Sequence, residues 1–312
     1  MMSLMRSGST HYCTAVGTAV GLAVGTALGN ACARHAVRSA AMSRNFSTAA
    51  AAAAVRSTTD SGVAGSSVYE TERAVDEYLQ FHYAKSIDLM PYPADVAPTA
   101  ALEFPQRCAR LCLHAEGRAR ALDVGCSVGG MSFQLARHFN EVKGVDFSHA
   151  FVAAAESMRE AGCADYTATI EAEIKETRSA SVDDDIDRSR LSFEQGDACA
   201  LRPDIGQFDA VLAANLLCRL PEPRAFLQRC ADLVKPGGVL VLVSPYSWLE
   251  EYTEKSKWLG GVAGGPQTFE AVNQELSKSF QLLETPDMPF LIREHARKFQ
   301  WGCSEGSVWR RL

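Results

Sequence analysis

The residue types and spacings that can do chemistry in this 312-residue chain gather first in ALDVGCSVGG, residues 121–130. An acid, Asp123, ends a short apolar run, and Gly125, Cys126 and Gly129 lead into a helical stretch. Glycine lets the backbone turn tightly and approach a ligand with no Cβ in the way. The N-terminus of the helix that follows is suited to a carboxylate. Alone, this turn announces only a nucleotide-like ligand, because nicotinamide- and flavin-binding folds use similar ones. Further polar residues at the ends of later apolar runs narrow the reading. Asp146, 21 residues beyond Gly125 and followed by Phe147, sits where a carboxylate accepts both hydroxyls of a ribose. Asp197, followed by Ala198, is placed to accept from an adenine amino group, and Asn215 closes another apolar run.

Those residues need strands to carry them to one edge. ALDV, EVKGVDFS (141–148), LSFEQGDA (191–198), FDAVLAANLL (208–217) and VLVLVSPY (239–246) read as five strands. Helical stretches precede and separate them: YETERAVDEYLQFHYAKS (69–86), EFPQRCARLCLHA (103–115), GMSFQLARHF (130–139), HAFVAAAESMRE (149–160) and one within 220–238 closed by Pro-Gly-Gly. TATIEAEIK (167–175) alternates apolar and polar residues, and the polar run to Arg190 reads as a surface insertion. FQLLETPDMPFLI and RKFQWGCSEGSVWRR predict a closing antiparallel hairpin. The expectation is an α/β fold: a doubly wound, mostly parallel, seven-stranded Rossmann-like sheet with helices on both faces.

The succession Asp123, Gly125, Asp146, Asp197, Asn215 with VKPGG before the fifth strand resembles the class I S-adenosylmethionine-dependent methyltransferase superfamily, which implies S-adenosylmethionine as cofactor. Ser127 departs from that pattern, since many members carry a third glycine there. YETERAVDEYLQFHY, AANLLCRLPEPRAFL, SPYSWLEEYTEKSKWLGG and DMPFLIREHARKFQWGCSE resemble the mercaptohistidine N-methyltransferases of ovothiol biosynthesis, over about Tyr69 to Arg310. That resemblance implies methyl transfer to an imidazole nitrogen of thiohistidine, and a functional link to an iron-dependent sulfoxide synthase, for which this chain has no ligand cluster.

An amino-acid acceptor needs a cation for its carboxylate and acids for its ammonium. Arg219 and Arg293 are candidates for the first, Glu250 and Glu251 for the second. His82, Tyr83, Tyr246, Trp248 and His295 are candidates to line a ring pocket or orient the imidazole. No catalytic base is assigned, because one imidazole nitrogen holds a free lone pair in the right tautomer. The alternatives are methylation of another small metabolite, or a cofactor-binding scaffold without turnover.

Composition sets the outer bounds. A net charge of −6, with no lysine- or arginine-rich stretch, argues against nucleic acid as partner. Ten scattered cysteines include no CxxC pair, and Cys108 and Cys112 read as small buried hydrophobes rather than metal ligands. Residues 1–59 stand apart: five arginines and no acid give them +5 and leave −11 for the rest. Residues 15–33 are apolar, with Gly17, Gly21, Gly25 and Gly29 on one helical stripe, as in packed membrane helices. The favoured reading of 1–66 is an organelle-targeting segment, mitochondrial or plastid. A membrane anchor at 15–33, which alone would bring membrane contact, or a cytoplasmic location are the alternatives. Residues 67–312 are then the methyltransferase domain.

Overall fold

The computed structural model describes residues 66–312, so the expectations for the targeting segment and the anchor at 15–33 lie outside the described residues. After a tight turn at Ser66–Glu70 the chain forms α1 (Glu72–Tyr83), α2 (Phe104–Leu111), β1 (Arg120–Val124), α3 (Gly130–Ala136), β2 (Glu141–Asp146) and α4 (His149–Ala161). There follow β3 (Cys163–Glu171), β4 (Ile174–Ser181), β5 (Leu191–Gln195), β6 (Phe208–Ala214), α5 (Pro223–Leu233) and β7 (Val234–Ser244). The last elements are α6 (Thr268–Leu276), β8 (Phe280–Glu284), β9 (Asp287–His295) and β10 (Lys298–Arg311).

The main sheet runs β5-β2-β1-β6-β7-β10-β8. The first five strands of that order are parallel, and β10 is antiparallel to both β7 and β8. This is the Rossmann-like methyltransferase architecture expected, with its antiparallel C-terminal strands. One strand more than expected is present. FQLLETPDMPFLI breaks at Pro286 into β8 and β9, and β9 pairs with the far half of the long β10 rather than joining the main path.

Alternation within the strands builds two cores. Along β1, Ala121 faces one side with α2, α3 and α4 side chains such as Cys108, Phe133 and Phe151. Leu122 and Val124 face the other with Phe226 and Leu227 of α5 and Leu276 of α6. Every side chain of β6 but the last is buried, as a central parallel strand requires. Cys108 and Cys112 are fully buried free thiols in the first core, and the described residues hold no cluster of metal-ligating side chains.

Two local readings change. The alternating stretch 167–175 straddles a turn, and residues on either side of it pair as the hairpin β3–β4, a separate two-stranded sheet. Tyr166, Ala168 and Ala180 bury on the first core while β4 turns its polar side chains to solvent. Pro236-Gly237-Gly238 do not close α5, which ends at Leu233; they lie in the irregular start of β7, where a Cβ on Gly238 would sit 2.7 Å from the Asp209 carbonyl. Among the described residues no helix is long and apolar enough to cross a membrane.

Candidate active site

From the neighbours β1 and β6 the sheet is built outward in opposite directions, to β2 and β5 on one side and to β7 on the other. Such a switch point opens a crevice at the carboxyl ends of the strands. A cleft of about 220 Å³ lies there, walled by Gly125 after β1, Asp146 and Phe147 at the end of β2, Asp197 after β5, and Asn215 after β6.

The turn after β1 is shaped by left-handed residues: Gly125 at φ 75°, Ser127 at φ 50° and Gly129 at φ 86°. A Cβ on Gly125 would lie 2.9 Å from the Leu216 side chain, so the wall has no room for one. Ser127 adopts a conformation that costs an L-residue about 1–2 kcal/mol. Its amide offsets part of this by donating to Asp146 Oδ2 at 2.8 Å. Its hydroxyl is buried at the cleft wall with no hydrogen-bond partner. An unpaired buried hydroxyl is costly, and a polar ligand in the cleft would relieve it.

Asp146 also accepts from the Ser148 amide through Oδ1, at 2.9 Å. Burial pushes its carboxyl up, against the pull of these backbone N–H bonds. A carboxylate oxygen has lone pairs for more than one donor, so both can also take hydroxyl groups such as those of a ribose. Beside it Phe147 is 46% exposed, an aromatic face open to a flat ring. Asp197 Oδ1 accepts from the Cys199 amide at 2.8 Å, which fixes the turn carrying Ala198. Asn215 is left-handed, its amide bonded to the Val243 carbonyl and its side-chain oxygen to the Ser304 hydroxyl.

Helix α1 covers the cleft with Tyr78, Phe81 and His82, and Tyr69 precedes it at the mouth. The end of α1 is pinned to the turn twice. His82 Nδ1 accepts from the Gly130 amide at 3.2 Å, and the Tyr83 hydroxyl donates to the Val128 carbonyl at 2.6 Å. Burial lowers His82 to about 3. At the mouth the Arg219 guanidinium lies 4.8 Å over the Tyr252 ring and donates to the Ser247 carbonyl at 2.8 Å. The Tyr69 and Tyr252 rings are 6.4 Å apart, and Tyr252 is pushed up to about 12, by burial first and then by Tyr69.

Several expected site residues lie elsewhere, each for a structural reason. Asp123 is fully buried beneath the turn, where it accepts from the Ser132 hydroxyl at 2.6 Å. Cys126 is buried in the first core, and Gly129 serves packing, since a Cβ there would meet the Phe193 ring at 2.8 Å. Tyr83 is spent on the Val128 carbonyl. Tyr246 points to β10 and donates to Glu305 at 3.0 Å. Trp248 stacks on Trp258 in the second core, and Glu250 and Glu251 are exposed outside the cleft. Arg293 is buried against the Asp88 carbonyl, and His295 sits at the tip of the β9–β10 hairpin, taking the Arg297 amide. Of the acceptor candidates, Arg219 and His82 line the cleft. Reasoning from sequence missed Tyr69, Tyr78 and Tyr252. The helical period of α1 already put Tyr78 on the covered face with His82, whereas nothing local marks Tyr252.

Residues 122–242 match the family model described as a methyltransferase domain. The fold and this match together define the class: the chain carries a class I S-adenosylmethionine-dependent methyltransferase domain, and S-adenosylmethionine is the cofactor of that class. Among curated relatives, a ubiquinone biosynthesis O-methyltransferase of Xanthomonas axonopodis pv. citri is 34% identical over 126 residues, 40% of this chain and 42% of the relative. One of the same description from Coxiella burnetii is 29% identical over 119 residues, 38% of this chain and 40% of the relative. The chain thus spans about two fifths of the length of the curated relatives it matches. Among solved structures, the N-methyltransferase NodS of Bradyrhizobium japonicum in complex with S-adenosyl-L-homocysteine is 16% identical, covering 76% of this chain and 98% of that one at a TM-score of 0.44.

Proposed function

We propose that this chain transfers the methyl group of S-adenosylmethionine to an imidazole nitrogen of thiohistidine, giving an ovothiol. When bound, the cofactor supplies a methyl group on a sulfonium. The wall fits such a ligand: an unpartnered hydroxyl on Ser127, a backbone bent to exclude a Cβ at Gly125, and the Asp146 carboxylate beside an exposed aromatic ring. In this reading Asp146 holds the ribose, Phe147 and Asp197 with Ala198 the adenine, and Gly125, Ser127 and Asn215 the amino-acid end.

The observation that carries the choice of acceptor is the state of His82. It lines the cleft, yet burial lowers it to about 3 and its Nδ1 lone pair is already given to a backbone N–H. A phenolic acceptor must lose a proton as its oxygen is methylated, and this histidine is no base for it. An imidazole nitrogen brings its own lone pair. The bond from sulfonium sulfur to methyl breaks with its electrons kept on sulfur, the nitrogen–methyl bond forms, and the other ring N–H proton leaves to solvent. What the protein must do is position. Arg219, flanked by Tyr69 and Tyr252 at the mouth, is the cation for the acceptor's carboxylate. The family resemblance implies a functional link to an iron-dependent sulfoxide synthase, upstream of the acceptor.

The relatives' names favour a second reading, O-methylation of a phenol. Incubating the purified chain with labelled cofactor and either thiohistidine or a catechol separates the two. Label passing to the thiohistidine ring nitrogen supports the proposal; label passing only to the catechol oxygen replaces it with the second reading.

A further inference from the structure

His82 makes a contact that fixes more than its place. Gly130 is the first residue of α3, and its amide is among those that no carbonyl of the helix can take. It donates to His82 Nδ1 at 3.2 Å. A backbone N–H only donates, so Nδ1 must be the bare nitrogen, and the proton of the neutral ring then sits on Nε2. The ring is 7% exposed and lines the cleft. Gly130 packs closely against it: a Cβ there would fall 2.6 Å from His82 Cβ and 2.7 Å from Nδ1.

We propose that His82 holds its Nε2–H toward the cleft as a fixed, uncharged hydrogen-bond donor to an electron-rich atom of the methyl acceptor, which for thiohistidine is the sulfur. The second half of this rests on the acceptor reading above. Sulfur is the stronger nucleophile of that substrate, and its methylation is the competing reaction. A donor aimed at sulfur ties up a lone pair and turns that atom away from the methyl group, which leaves a ring nitrogen in line. The device needs a donor that keeps its proton assignment across the working pH range. Burial supplies this by suppressing the cationic form, and no charged group contributes to the shift. The aromatic neighbours from α1 are Phe81, Tyr78 and Tyr83, with ring centroids 5.2 Å, 5.8 Å and 6.3 Å away. Burial pushes both tyrosines up, so they stay neutral too. The charged side chains lining the cleft, Asp146, Asp197 and Arg219, stand on the strand ends and their loops.

Two variants divide the ring's two nitrogens. The side-chain oxygen in His82→Asn still meets the Gly130 amide but leaves nothing where Nε2 was. The side-chain amide in His82→Gln reaches the Nε2 position with a donor. With thiohistidine, His82→Asn should lower kcat/KM for the acceptor by about tenfold or more, the cost of one hydrogen bond. It should also raise the share of S-methylated product, with cofactor affinity by calorimetry changed less than about twofold. His82→Gln should regain much of the nitrogen selectivity. Unchanged kcat/KM and product ratio in His82→Asn overturns the proposal, as does an acidic limb of the wild-type pH profile that this variant abolishes. If the wild type methylates a different acceptor instead, the thiohistidine reading fails, while the same variants still test the donor through kcat/KM on that acceptor. Independently of any acceptor, nitrogen NMR of histidine-labelled protein should show the Nε2–H tautomer, uncharged from about pH 5.5 to 8. An Nδ1–H tautomer or a protonated ring refutes it.

Discussion

Asp123 gives the sharpest stability prediction. It lies fully buried under the cofactor turn with Oδ1 lacking any partner, and burial raises its carboxyl from 3.8 to about 7. The folded state therefore holds this proton where the unfolded chain has released it. Between about pH 4 and 7 the native protein binds more protons than the unfolded one, so stability falls as pH rises and the full cost is felt above 7. At 1.36 kcal/mol per pH unit the cost is about 4 kcal/mol. Asp123→Asn removes the charge while its oxygen still accepts from the Ser132 hydroxyl, against about 1–3 kcal/mol for a buried, unpaired amide N–H. Urea unfolding of wild type and variant at several pH values between about 5 and about 8 should show two curves that differ in slope. The variant lacks this descending component, and it is the more stable protein at the alkaline end. In melting temperature the full effect would reach roughly 10 °C for a domain of this size. Because Asp123 does not line the cleft, the variant should bind S-adenosylmethionine within about threefold of wild type, a difference of well under 1 kcal/mol. Parallel stability curves would show that Asp123 ionises normally and refute the reasoning. A large loss of cofactor affinity would return it to the binding wall.

Other substitutions divide the cleft. Asp146→Ala removes the carboxylate proposed to hold the ribose and also frees the Ser127 and Ser148 amides, so cofactor affinity by calorimetry should fall by about 1–3 kcal/mol. Arg219→Met keeps an apolar side chain there but removes the charge and the guanidinium over Tyr252; KM for the acceptor should rise roughly tenfold or more while cofactor affinity holds.

The cofactor wall was legible in sequence because its logic is local. A strand end delivers its last residue and the next few to the sheet edge: Asp146 ends β2, and Gly125, Asp197 and Asn215 each follow a strand by at most two residues. Even there, sequence could not tell the acid that faces the cleft from the one beneath it. Asp123 lies within β1, so pleating turns it to the interior, whereas Asp146 ends its strand. The acceptor side was less legible because three distant segments build it. Tyr69 and Tyr78 come from before and within α1, Arg219 from the turn after β6, and Tyr252 from the loop after β7. Tyr83 and His82 are adjacent in sequence, yet the helical step sends one to the Val128 carbonyl and the other to the cleft. The left-handed Tyr246 and the buried Arg293 answer to packing partners on β10 and at Asp88 that no local pattern announces. In sequence Ser127 stands out only as a missing glycine; its left-handed backbone explains why glycine suits the position, and its orphaned hydroxyl shows what serine adds.

The most direct test of the central claim is the regiochemistry of a single turnover. Purified chain, S-adenosylmethionine carrying a labelled methyl group and thiohistidine are combined, and the product is examined by NMR for the atom bearing the label. Label on a ring nitrogen, with an equal amount of S-adenosylhomocysteine, is the result this account requires. Label on sulfur, or S-adenosylmethionine left intact with thiohistidine but consumed when a phenolic acceptor takes its place, would contradict it.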